Sequence, residues 1–450
     1  MGHCFRSVVN SWATSNHFLK ISTGFDESKK LSFHMKARLC MKSHKMKEEH
    51  KSHKYSTSLV ESICLQCYKR NIPTSADVAK QERLYKKLHS CLNATSKNPV
   101  SLYQFGSTVN GFGFRNSDVD LSVAGISLIQ AKAILKQTHD FTNVVLIRCR
   151  IPVLKFFYRP SGLLGDVTAT NKVAHRNTKL LHRYSTISLK SKIAIYAFKY
   201  LAKSCHLSDV DSGFISSYAF TILAIYYLQQ IEPPALPVLQ ELQSFNQVPT
   251  MISGFNTSFF DGSEKELARI WCSYGRNEYS ASQLFLGMLD FYANKFDYEN
   301  HVVSIRQRSI ERRRESRFDN FVIEDPFENR NLASRISVQK LKLIQDFFSK
   351  AYSHFAQLQN HSWKSTKPLE SRFNPGLLLH EETCVYVLRG MYNNLKEMKT
   401  CGISETNEQY LHTLFQMEQF MHKLYKRRRL PQKFHDSFSR NFSIKSLHLL

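Results

Sequence analysis

The sequence predicts an α+β fold, and three observations predict it. Short β-prone runs are confined to residues 102 to 168. Apolar residues fall at helical spacing before that block, from Ser56 to Leu92, and again from Asn171 onward. Between the first two β-prone runs lies a glycine-spaced segment from Phe105 to Asp120 that ends in two acids. Strands gathered in one part of a chain and helices in another point to α+β rather than to a regular strand–helix alternation.

The chain has 450 residues, enough for two or three domains and a sizeable core. Its hydrophobic share of 42% excludes a wholly disordered chain. The formal net charge of +25 calls for a polyanionic partner such as nucleic acid. No run of eighteen apolar residues exists, so neither a transmembrane helix nor a membrane partner is expected. The ten cysteines are scattered, and Cys64 with Cys67 is the one close pair. That pair reads as part of an apolar helix face. A zinc site with His44, His50 or His53 is the alternative. Such cysteine usage predicts reduced thiols and an intracellular protein. Arg6 stands where myristoylation requires Ser or Thr. The first 25 residues lack acids, so a mitochondrial presequence is a competing reading of that end.

In chain order, residues 1 to 54 read as a basic tail expected to be disordered. Leu59, Ile63 and Cys67 mark one helix, and Val78, Leu84 and Leu88 mark a second. Ile72 to Ser75 breaks them, with Ser75 as candidate cap. Leu102 to Phe105 is the first strand and Asp118 to Val123 the second. Residues i and i+2 of a strand share a face, so Asp118 and Asp120 project together while Val119 and Leu121 face a core. Two adjacent carboxylates repel unless a cation lies between them, and Mg²⁺ suits carboxylate and phosphate oxygens. The Gly106-Ser107 turn offers backbone N–H groups and a hydroxyl to phosphates. The combination reads as a metal-dependent nucleotidyl-transfer site.

A helix over Leu128 to Thr138 follows, then strands at Val144–Ile147, Val153–Phe156 and Leu163–Thr168. The last brings Asp166 into the region, where spacing alone leaves a surface or capping role equally open. From Asn171 the chain is mostly helical. Ser188 to Lys203 carries Lys199 and Lys203 at i,i+4, a shared basic face that solvent alone would also explain. Ser217 to Gln230 is strongly apolar and stops at Pro233-Pro234. Residues 242 to 280 mix loop and short helix, and Gln283 to Asn294 is an aromatic-rich helix. A basic run reaches Arg317 through the Arg312 cluster, and Ser337 to Asn360 is a further helix. Beyond it, Glu382–Met398 and Glu405–Tyr425 read as helical. The cluster from Lys423 to Arg429 fits RNA backbone, a nuclear-import signal or a solvated tail.

These pieces together resemble the terminal RNA nucleotidyltransferases of the DNA polymerase β-like superfamily, and most of all the animal terminal uridylyltransferases. The matching motifs are Phe105-Gly106-Ser107 to Asp120, Gly165-Asp166-Val167, Asn171 to Leu181, Ser216-Ser217-Tyr218, Leu284 to Tyr292, and Ile323 to Glu328. The resemblance implies two lobes, a mixed-sheet α/β palm and a mostly helical nucleotide-recognition lobe, with basic terminal extensions. It implies the palm over 55–186 with its preceding helices, a poly(A) polymerase-associated lobe over 187–350, and a basic extension over 351–450 that is helical in part. It implies catalytic Asp118, Asp120 and Asp166 holding two Mg²⁺ (or Mn²⁺) ions. Gly106 and Ser107 would meet the β- and γ-phosphates, and Lys199 and Lys203 would neutralise the triphosphate. Asn171 and Thr178 would contact ribose and base, Ser217 phosphate, and Tyr218 would stack on the base. Asp325, Glu328 and Arg330 would complete the nucleotide site.

The reaction so implied is template-independent addition of uridines from UTP to RNA 3′ ends, by a cytoplasmic monomer open to RNA-binding protein partners. The chain departs from the family at one informative place. Uridylyltransferases of this kind carry a histidine shortly after the Asp-Pro-Phe-Glu motif. Here the loop is one residue short and Arg330 stands nearest that place; the cytoplasmic poly(A) polymerases have a similarly short loop without the histidine, so ATP is the alternative nucleotide. The zinc knuckles of several relatives are missing too, which leaves RNA capture to basic surface. A catalytically silent RNA-binding relative and a nucleotide-signalling transferase are the competing readings. The intact acids argue against the first and the second-lobe motifs against the second.

Overall fold

The computed structural model describes residues 58 to 359 apart from 97, 116, 149–150, 211–212, 243–247 and 309–319, and isolated positions between 373 and 421. The expected basic tail, its histidines, the Arg312 cluster, most of the two C-terminal helices and the Lys423 cluster lie outside the described residues.

The first lobe runs through α1 (Leu59–Asn71), α2 (Ser75–Thr95), β1 (Ser101–Phe105), the single turn α3 (Ser107–Asn110), β2 (Val119–Ala124), α4 (Leu128–Gln137), β3 (Phe141–Ile147), β4 (Val153–Tyr158) and β5 (Leu163–Ala169). The strands form one sheet in the order β1-β2-β5-β4-β3. Only β2 and β5 run parallel; the other neighbours are antiparallel. Alternation decides the faces. Leu121, Val123, Leu154, Phe156 and Val167 point inward against Leu84, Leu88 and Leu92 of α2 and Ala131 and Leu135 of α4. Asp120 and Asp166, as register partners across β2 and β5, stand together on the opposite face.

Two details differ from the sequence reading. The cap of α2 is Thr74, one residue before the expected Ser75. Thr74 forms a reciprocal capping box with Asp77. And β2 begins at Val119, so Asp118 sits just ahead of the strand rather than on it. The alternation argument therefore places Asp120 and does not place Asp118.

The second part of the chain is helical: α5 (Lys172–Ile187), α6 (Leu189–Ser204), α7 (Ser217–Gln230), α8 (Glu264–Ile270), α9 (Ala281–Asp290), continued by one wider turn over Phe291–Lys295, and α10 (Val338–Gln359). A two-stranded ribbon, β6 (Met251–Ile252) with β7 (Phe255–Asn256), lies between α7 and α8. The centre of this lobe is aromatic. Phe348 stacks on Phe198 at 5.7 Å and on Tyr292 at 5.4 Å, and the Tyr292 hydroxyl donates to the Leu223 carbonyl at 2.7 Å. That bond satisfies the polar end of a fully buried ring. Helix α1 packs here and not on the sheet. Tyr68 meets Tyr196 of α6 edge-on at 5.1 Å, and the Ser282 N–H donates to Glu61 at 2.6 Å. Chain order and packing part company at this helix. Cys64 and Cys67 are buried in the same contact, and burial pushes both thiols up. They form part of an apolar helix face, as their spacing suggests.

Candidate active site

A cavity of about 670 Å³ opens between the sheet and the helical lobe. Its floor begins at Gly106. This residue has φ +74°, and a Cβ there would run into the Asp120 carboxylate, so the turn requires glycine. The Gly106 N–H donates to the Thr178 hydroxyl at 2.9 Å, and that hydroxyl donates in turn to the Ala174 carbonyl at 2.8 Å. Thr178 thus lines the cavity but spends its hydroxyl bracing the turn. The Ser107 N–H donates to Asp120.

All three acids line the cavity. Burial, then Asp166 and then Asp118, push the Asp120 carboxyl up to about 7; Lys155 and the Ser107 N–H pull the other way. Lys155, across from Asp166 on β4, holds it at 2.7 Å. Among the described residues no group of three or more His, Cys, Asp or Glu side chains is gathered to hold a metal ion as it stands. Asp166 is engaged by the Lys155 ammonium, and at Asp120 burial and the two neighbouring acids outweigh Lys155 and the Ser107 N–H. The donor set still suits a hard divalent cation. It is all oxygen, two members are register partners, and burial together with the neighbouring acids raises the pKa of Asp120.

The opposite wall is cationic. Lys199 is buried and donates to the Phe112 carbonyl at 2.6 Å. Burial first, and Lys203 second, bring its amine down to about 7. Burial also lowers Lys203, against the pull of Asp118. Both flank the Phe114 ring, at 5.2 and 5.5 Å from its centre. The i,i+4 pair is therefore split: Lys199 is buried, while Lys203 lines the same cavity with an exposed side chain. Both ammonium groups can meet phosphate oxygens there.

Deeper in, Asn171 caps α5 by accepting from the Ala174 N–H at 3.0 Å. Ser217 heads α7, and Tyr218 follows it. The Asn177 amide donates to the Tyr218 hydroxyl. The Asn177 carbonyl oxygen is buried with no hydrogen-bond partner, which leaves an acceptor for a ligand. The far end is the loop from Glu324 to Asn331. Asp325, 1% exposed, accepts from the Phe327 and Glu328 N–H groups through Oδ1 and from Arg330 through Oδ2. Arg330 also meets Glu328 at 2.8 Å. Burial works against this guanidinium, but Asp325 and Glu328 outweigh it and raise its pKa.

Every residue singled out for the site lines this one cavity. Two contributors were missed. Asn177 lies one residue before Thr178 and faces the cavity with it, on the i, i+3, i+4, i+7 stripe of Ala174, Asn177, Thr178 and Leu181, a helical periodicity that would have found it. Lys155 gave no local signal, because its pairing with Asp166 depends on the β4–β5 register.

Residues 60–186 match the family model described as the central palm domain of mitochondrial-like poly(A) RNA polymerase, and residues 280–331 match Cid1 family poly A polymerase. Human terminal uridylyltransferase 7 is 34% identical over 310 residues, covering 65% of this chain and 20% of that protein. The chain thus spans about a fifth of the length of the uridylyltransferases it matches. The Schizosaccharomyces pombe poly(A) RNA polymerase cid11 is 27% identical over 305 residues, covering 64% of this chain and 61% of that one. The crystal structure of the Cid1 poly(U) polymerase superposes with a TM-score of 0.61 at 26% identity, covering 70% of this chain and 98% of that one. Other Cid1 structures hold a UTP analogue, MgGTP and the short product ApU.

Proposed function

Because the chain belongs to the Cid1-type family of terminal uridylyltransferases and poly(A) RNA polymerases, we propose that it adds uridines from UTP to RNA 3′ ends without a template. The observation that carries the proposal is one cavity with an acid row on one wall and Lys199, buried, and Lys203 on the other. In the reaction the RNA 3′-oxygen bonds to the α-phosphorus of UTP, the α–β phosphoanhydride bond breaks, and pyrophosphate leaves. Asp118, Asp120 and Asp166 would hold two Mg²⁺ (or Mn²⁺) ions. When bound, such ions supply activation of the attacking hydroxyl and stabilisation of the leaving charge.

The chain's own residues do the rest. The Gly106-Ser107 turn meets the β- and γ-phosphates, with the Ser107 hydroxyl as donor. Lys199 and Lys203 balance the triphosphate charge. Ser217 reaches a phosphate, and Asn171 the ribose. Tyr218, oriented by Asn177, stacks on the base.

The UTP preference draws on the relatives and on the far wall. Arg330 and Glu328 set a donor beside an acceptor there, which matches the O4 and N3–H edge of uracil. Adenine presents the reverse order, an amino group beside a ring acceptor. The absent histidine at this loop is the observation that favours ATP as the second reading. We also propose that the protein acts as a monomer in the cytoplasm, a compartment that would keep the buried Cys64 and Cys67 as thiols.

The test is extension of a short single-stranded RNA with Mg²⁺ and each nucleotide in turn, followed by sequencing of the tails. Uridine tails are expected. Adenosine tails would select the second reading, and no extension with any nucleotide would overturn both. Asp120→Ala is expected to abolish extension while leaving the circular dichroism spectrum unchanged. Full activity in that variant would reject the metal-ligand assignment.

A further inference from the structure

The cavity reaches Asp120 and Asp166 from the β1 side and ends there; no residue of β3 or β4 lines it. In-line displacement sets the attacking oxygen opposite the leaving group. With a triphosphate in the cavity, the acceptor must approach from beyond Asp166, over β5, β4 and β3. The register tells what lies on that path. Val145 pairs with Lys155, Lys155 with Asp166, and Asp166 with Asp120, so the four side chains stand in one row on one face. Two residues along the strands one way come Leu164 and Phe157. The other way come Val153 and Ile147. Val145, Ile147 and Leu164 are 52%, 40% and 42% exposed. The palm thus carries an apolar surface outside its core, with one ammonium at its centre, running straight into the acids.

We infer that this outer face of β3, β4 and β5 receives the 3′-terminal nucleotides of single-stranded RNA, with bases on the apolar side chains and a phosphate against Lys155. Unpaired bases pack on apolar and aromatic surface whatever their sequence, and a nearby cation holds the backbone. The Lys155 side chain, 43% exposed and 2.7 Å from Asp166, stands where the last phosphodiester must pass. Its ammonium can exchange a carboxylate for that phosphate. The net charge of +25 gives the same polarity to the whole chain. Continuity with the acids selects RNA over a protein partner as occupant. The inference rests on the nucleotidyl-transfer reading, and its test separates the two.

Binding of a 5′-fluorescein oligoadenylate to the full chain is measured by anisotropy in EDTA, where no transfer occurs. Val145→Glu and Ile147→Glu are each expected to weaken binding about tenfold through charge repulsion and lost packing. The UTP KM of any residual extension should stay unchanged. Ile129→Glu, at a 66% exposed position on α4, is the control and should bind as wild type does. An RNA ending in 4-thiouridine is then cross-linked to the wild-type protein, with cross-links expected within residues 141–169. Wild-type affinity in both variants, or cross-links solely outside that range, would overturn the inference and leave the face to a protein partner. If a variant melts early, the cross-link map of the wild type decides by itself. RNA held at this face by a protein that transfers no nucleotide would sink the functional proposal and keep the docking surface.

Discussion

Lys199 is the residue whose environment says most about the nucleotide. Its amine titrates near 10.5 in an unfolded chain and at about 7 in the fold. Between those values the unfolded state binds a proton that the native state lacks, so stability rises with pH across that window. Below pH 7 the full cost of burying the charge is present. A bound polyphosphate should return the proton. We expect a UTP analogue, without metal at about pH 8, to bind with proton uptake. Calorimetry in two buffers of different ionisation enthalpy measures this, and Lys199→Met should abolish the uptake. Unchanged uptake in the variant would assign the proton to Asp120. The placement of such residues was partly legible. Gly106, Ser107 and Asp120 follow from local spacing, because a turn and a strand fix them within a few residues. Thr178 shows the limit: the sequence puts it in the site, but only its contact with Gly106, 72 positions away, reveals that its hydroxyl serves the turn.

The strands were legible because apolar alternation is a local property, and β1 to β5 lie within a few residues of their expected positions. Their order was not, since the parallel pairing of β2 with β5 joins segments separated by α4, β3 and β4. For the same reason the apolar spacing of α1 predicts a helix and says nothing of its neighbour. Its packing on α6 and α9 gives a prediction at this scale. Tyr68 is 4% exposed and meets Tyr196 edge-on. Tyr68→Ala should cost about 3 kcal/mol or more, as large-to-small changes at buried aromatics do. Denaturant unfolding followed by fluorescence measures it. A loss under about 1 kcal/mol would mean that α1 is not a structural part of the helical lobe.

Over the whole molecule, 62 basic and 37 acidic residues predict RNA binding that weakens steeply with salt. For single strands the slope of log K against log salt is about −0.7 per phosphate neutralised. Removal of residues 1–54, rich in lysine and histidine, should flatten that slope and leave the UTP KM unchanged. An unaltered slope would confine RNA contacts to the remainder of the chain. Helix α5 has a consequence of its own. Thr178 ties it to the phosphate-side turn, and the adjacent Asn177 ties it to the base-side Tyr218. One rod therefore fixes the distance between the groups that, in the proposed function, would grip the two ends of a nucleotide. Once one end is seated, the other meets its partner at high effective molarity, as the two arms of a chelate do. Asn177→Ala should release one arm. The inhibition constant of inorganic triphosphate should hold while the UTP KM rises about tenfold, and equal losses for both ligands would show that the helix joins nothing.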